Sequence, residues 1–124
     1  MFSLAALALS IAVTQPSTHL TLQTWKGKDL STASSEAVKY RLDVRGTPNA
    51  TLHLDASHVA QGWIAAFCTP KVCSPNSVDV TLPASGRAEY QFELIREDDT
   101  AAHRSGAVIT SADGATVTAP EASI

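Results

Sequence analysis

Along most of the chain, apolar and polar residues alternate one by one. In "VKYRLDVR" (38–45), Val38, Tyr40, Leu42 and Val44 share one face and Lys39, Arg41, Asp43 and Arg45 the other. "RAEYQFELIR" (87–96) repeats this, with Ala88, Tyr90, Phe92 and Leu94 set against Arg87, Glu89, Gln91 and Glu93. A period of two is that of a strand with one buried and one wet face. The apolar sets, with Trp63 and Phe67, are therefore expected to be buried, and Lys39, Arg41, Asp43, Glu89, Gln91 and Glu93 exposed. Weaker alternation marks 19–25, 50–55, 77–82 and 107–111, and 115–119 is rich in β-branched residues. "WIAAFC" (63–68) is apolar on both faces, as befits a central strand of a sandwich.

Turn formers separate these runs at 45–49, 74–76, 83–86, 104–106 and 111–114. Asp113-Gly114 predicts a hairpin, because both residue types accept φ > 0. The pattern as a whole predicts an all-β fold, an antiparallel sandwich of seven to eight short strands. Outside it, helix is expected only in the apolar run near the start and as a turn in "SSEAVK" (34–39).

That run, "FSLAALALSIAV" (2–13), changes the picture of where the chain works. It is too short to span a bilayer of ~30 Å but has the length of a signal-peptide core. Ser10 and Ala12 offer small residues for cleavage, although no Lys or Arg precedes the run. The expected organisation is a removed leader over 1–17, one domain over 18–119 and a short tail over 120–124, with no membrane span in the mature chain. The expected location is secreted or periplasmic.

Charge narrows the partner class. The net charge of -3 in 124 residues is spread out, with no basic stripe. Nucleic-acid binding needs such a stripe, so no nucleic-acid partner is expected. The expected partner is a protein or a cell surface.

The only two cysteines lie in "GWIAAFCTPKVCSP" (62–75), spaced Cys-x4-Cys. In an oxidising compartment a pair with this spacing reads as a structural disulfide, Cys68–Cys73. Pro70 stiffens a spacer that can turn back within the ~4.4–6.8 Å between Cα atoms that a disulfide requires. The alternative is a metal site. His53 and His58 are separated by four residues, and with Cys68 and Cys73 they would make four ligands. Five positions apart on a strand point to opposite faces, so both histidines would reach one ion only through the turn between them. A copper site of the Cys–His–Met kind lacks its Met, since the only one is Met1. A thioredoxin-like motif needs Cys-x-x-C at a helix start, not this longer spacing after a strand.

Other chemistry is sparse. There is no Gly-x-Ser-x-Gly, and "GKDLST" (27–32) lacks the upstream glycine of a phosphate loop. Glu89 and Glu93 read as a solvated strand face, not a general-acid pair. Asn49-Ala50-Thr51 is a glycosylation sequon that matters only in a eukaryotic secretory host. Trp63, at the start of its strand, reads as core; Trp25, at a strand end, reads equally as core or rim. The histidines read as exposed. No catalytic residues and no cofactor are expected.

The order Trp63, Phe67-Cys68, Cys73, Pro83, Gly86, then Tyr90-x-Phe92-x-Leu94, closed by Gly106 and Val108, resembles that of exported bacterial Ig-like (fibronectin-like) domains. The resemblance covers roughly residues 36–118. It implies an Ig-like β-sandwich of the cell envelope or extracellular space that binds or spaces without catalysis. Fold likeness alone does not establish function.

Overall fold

The computed structural model describes residues 17–26, 30 and 36–124. The expected leader, most of "GKDLST" and Ser34–Ser35 of the expected helical turn lie outside the described residues. The described chain is all β, in chain order β1 (His19–Thr24), β2 (Glu36–Arg45), β3 (Thr51–Ser57), β4 (Trp63–Cys68), β5 (Cys73–Pro75), β6 (Ser77–Thr81), β7 (Arg87–Arg96), β8 (Arg104–Ser105), β9 (Val108–Ser111), β10 (Thr116–Thr118) and β11 (Ala122–Ser123). Seven of these have four or more residues; β5, β8, β10 and β11 have two or three. The expected turn of helix at 34–39 is corrected: from Glu36 on the chain is already strand. β2 simply runs two residues further back than the alternation at 38–45, and a strand partner for each of those residues outweighs their helix propensity.

All pairings are antiparallel. One sheet has the order β1-β2-β7-β4-β5, a second β10-β9-β3-β6, and β11 and β8 form a separate ribbon. The centre of the first sheet is the β2–β7 pair, ten residues in unbroken register from Glu36↔Arg96 to Arg45↔Arg87. The two larger sheets pack as a sandwich around one core. Leu42, Val44, Phe67, Phe92 and Leu94 enter it from the first sheet, and Leu54, Val80 and Ile109 from the second. Phe92 lies at its centre, with ring centroids 5.1 Å from Phe67 and 6.0 Å from Tyr40.

Two aromatic side chains of the core carry polar tips that find backbone acceptors. The Tyr40 hydroxyl donates to the Pro120 carbonyl at 2.6 Å, and burial raises its pKa. The Trp63 indole N–H donates to the Ala102 carbonyl at 2.7 Å. Trp63 is core as expected; Trp25 is half-buried. The residues expected to be a tail are pinned: Ala122 is buried and pairs with Ser105, and the Ile124 N–H donates to the His103 carbonyl.

Two turns explain the ends of the sheets. Gly86, at φ +72°, closes the 83–86 turn, and a Cβ there would stand 2.5 Å from the Gly46 carbonyl oxygen. Only glycine fits such a contact. The Asp113-Gly114 hairpin is present, but only Gly114 takes a positive φ. The Gly114 N–H donates to the Ser111 carbonyl and the Ser111 N–H to the Ala115 carbonyl, so the loop has three residues, a turn followed by one left-handed glycine.

Asp113 does more than turn the chain. Its carboxylate accepts from the Ser17 N–H (3.1 Å), the Ser17 hydroxyl (3.2 Å), the Thr18 N–H (3.0 Å) and, at short range, the Ser111 hydroxyl. It thereby ties the start of β1, in the first sheet, to the β9–β10 turn of the second. The Ser111 hydroxyl, followed by the Thr18 and Ala115 donors, holds this carboxyl far below the usual carboxylate range.

Two outcomes follow. Phe92→Ala should cost about 3–5 kcal/mol in urea melts, as aromatic truncations in cores do. Asp113→Asn should cost about 1 kcal/mol at pH 7, a modest loss because the group is exposed and screened. A depressed carboxyl contributes its full stability above its unfolded pKa of about 3.9 and loses it as pH falls further. The gap between wild type and Asp113→Asn should therefore be constant above about pH 4 and close below it in urea melts run as a pH series.

Candidate functional site

The outer face of the first sheet holds two groups of chemistry-bearing residues, and the strand register lays them out in rows. The first row is His19–Arg45–Arg87 across β1, β2 and β7; the second is Thr21–Asp43–Glu89. The third crosses all five strands as Gln23–Arg41–Gln91–Cys68–Cys73. The fourth includes Lys39, Glu93, Ala66 and Pro75.

The stapled half of this face begins at β4. The Thr69 N–H donates to the Val72 carbonyl at 2.8 Å, closing a turn over Pro70 and Lys71. The Thr69 hydroxyl accepts from the N–H groups of Lys71 and Val72. The next pair out from a hydrogen-bonded pair is non-hydrogen-bonded, where Cα atoms approach most closely. That pair is Cys68↔Cys73, and it is a disulfide with 4.0 Å between Cα atoms. The staple closes a hairpin within one sheet, with β5 inserted between it and β6. Pro75-Asn76, with Asn76 at φ +67°, then carries the chain into the second sheet.

Leu30, from the connection between β1 and β2, lies over this half. Its N–H donates to Gln91 Oε1 at 2.7 Å, and its carbonyl oxygen is 3.6 Å from Cys73 Sγ. Gln91 in turn donates to Glu93 Oε2 at 3.4 Å, and Glu93 Oε1 is 3.9 Å from Cys68 Sγ. Gln91 and Glu93 are 0 % and 1 % exposed, which corrects the expectation that they face water. Alternation assigns a residue to a face of a sheet; it does not say whether another segment covers that face. β4, apolar on both sides, is second from the edge of its sheet and not central. Among the other residues expected to be wet, Glu89 is exposed, and Lys39, Arg41 and Asp43 are half-buried; on the apolar side Val38 and Tyr90 are half-buried as well.

Of the four residues of the alternative metal set, the structure brings together only the cysteines. The group of potential ligands around them is completed by Glu93, not by a histidine. With the disulfide formed, neither sulfur is a thiolate able to bind a metal. His53 lies exposed on β3 in the second sheet, its ring nitrogens 2.7 Å from Asp79 Oδ1 and 3.1 Å from Asp55 Oδ1. The bond to Asp79, then the charge of Asp55, raises its pKa. His58 is a left-handed turn residue (φ 60°) next to the Ser57 hydroxyl.

The other half of the face is open. Arg41 is at its centre, with Nε 3.2 Å from Asp43 and 3.8 Å from Glu89, and a short bond to Gln23. Beyond it Arg45 and Arg87 stand directly opposed and exposed, beside His19. A shallow depression of about 340 Å³ is lined by Asp43, Val44, Arg45, Arg87, Ala88 and Glu89. This part of the surface was not anticipated from the sequence, although Arg45 and Arg87 each stood on a recognised wet face. Their pairing depends on register, which only the folded chain supplies.

Among the described residues no helix is long and apolar enough to cross a membrane. The disulfide fits an oxidising, extracytoplasmic environment. No protein-family model matches the chain, and no curated protein matches it in sequence. Among solved structures, the crystal structure of a FixG-related protein from Vibrio parahaemolyticus is similar, with a TM-score of 0.54 over 86 % of this chain and 95 % of that one, at 9 % identity. Identity that low shows a shared fold alone.

Replacing both cysteines with Ser should lower stability by about 2 kcal/mol, the chain-entropy value for a ring this small. The fold should persist, because the pairs around the ring are held by Thr69 and by β7. Chemical denaturation with far-ultraviolet circular dichroism checks both parts.

Proposed function

We propose that the protein is a small exported Ig-like (fibronectin-like) β-sandwich acting as a non-catalytic binding or structural module of the cell envelope or extracellular space. The observation that carries this reading is the division of the first sheet's outer face. In one half the reactive side chains are bound into the scaffold: the sulfurs by each other, Gln91 by Leu30 and Glu93 by Gln91. The other half presents an open field of charged side chains on rigid strands, the kind of surface that makes contacts. The Trp63 strand running into Phe67-Cys68, the short loop to Cys73 and the two antiparallel sheets support the Ig-like assignment. The disulfide supports export.

A photo-crosslinking amino acid placed at Thr21, exposed on the open half, should give a discrete adduct in the producing cell. The same residue at Thr51, exposed on the second sheet, should not. Identical patterns from both positions, or none from Thr21, would remove the reading.

A further inference from the structure

We propose that Arg45 and Arg87, with His19 beside them, form a binding site for a single oxyanion, a carboxylate or phosphate group. The site rests on the reading of the open half as the contact surface and names what it recognises.

The argument starts from register. The Gly46 N–H donates to the Gly86 carbonyl at 2.9 Å, so that pair is hydrogen-bonded. The next, Arg45↔Arg87, is therefore non-hydrogen-bonded, and its side chains stand as close as cross-strand neighbours can. Like charges in that arrangement are destabilising. The usual remedy, a carboxylate between them, is missing: among the described residues neither Arg45 nor Arg87 forms an ion pair. The nearest acids, Asp43 and Glu89, are opposed to each other one row along, and it is Arg41 that lies between them. The acidic pair thus has an internal counter-ion and the arginine pair has none.

An external anion supplies it. Two guanidinium groups approaching from opposite strands offer planar donor forks that match the oxygens of a carboxylate or phosphate, each able to bind it in bidentate fashion. Both side chains are exposed, so the anion enters without displacing structure. The third member of the row, His19, extends the donor set onto β1, where a wider depression of about 520 Å³ continues across the sheet. The adjacent acidic row sets a limit. It repels any ligand whose negative charge runs on past the arginines, which selects a compact anionic group over a polyanion.

The test uses the whole protein in low-salt buffer free of other oxyanions, with inorganic phosphate and acetate as separate probes and chloride at matched ionic strength as reference. Arg87→Gln and Arg45→Gln should each raise the melting temperature without ligand, because the repulsion is removed. One or both probes should raise the wild-type melting temperature saturably beyond chloride. The response to phosphate alone or to acetate alone assigns the class. Either arginine substitution should weaken that apparent affinity by about tenfold or more, while Arg104→Gln, in the separate β8–β11 ribbon, should leave it unchanged. The Arg45 and Arg87 Nε–H signals in NMR spectra should shift with the same saturation. No effect beyond chloride for either probe, or an equal effect in the arginine variants, would overturn the site. Thr21 crosslinks that persist in that case would leave the binding-module reading standing.

Discussion

The ten-residue antiparallel match of β2 with β7 is the constraint on which the rest of the molecule depends. Its register has no bulge, so each residue of one strand has a fixed partner on the other and a fixed face. On the inner face it brings Tyr40, Leu42, Val44, Phe92 and Leu94 together as the middle of the first sheet's share of the core, which Leu20, Trp63 and Phe67 extend. On the outer face it generates the rows that β1, β4 and β5 extend. A slip of one residue would exchange the two faces, placing arginines and glutamates against Leu54 and Ile109. The desolvation cost of that exchange makes the observed register the one that holds.

Around this pair, polar contacts fasten elements that the core alone would leave loose. Asp113 links the beginning of β1 to a turn of the opposite sheet. Tyr40 and Trp63 reach out of the core to the carbonyls of Pro120 and Ala102, fixing the last residues of the chain and the 98–102 loop. None of these bonds is worth much singly, but each acts where two separate parts of the chain meet. They convert a two-layer stack into a body with defined ends.

Much of this was legible in the residues themselves. β7 and β4 begin and end where alternation and apolar runs placed them, because each is long or fully apolar and bounded by turn formers. The disulfide was legible because two cysteines at that spacing after a strand leave few partners but each other. What could not be read was what lies over a face. Gln91 and Glu93 carry the pattern of wet residues, yet both are buried, with Leu30 bonded to Gln91 and Gln91 to Glu93. The short strands β5, β8 and β11 were invisible for a related reason: two or three residues carry no periodicity, and their pairing is imposed from outside. The arginine pair depends on both kinds of information, since sequence gives the faces and only register gives the neighbours.

The stapled hairpin has one further consequence. Pro70 and Lys71 form the exposed tip of a ring whose ends are joined through sulfur. A protease that cuts the chain at this tip opens the backbone but does not release it, because β4 and β5 remain covalently connected and paired. An exposed turn is thus also a place where a broken peptide bond does little harm, and such a nick would pass unseen until the protein met a reducing agent.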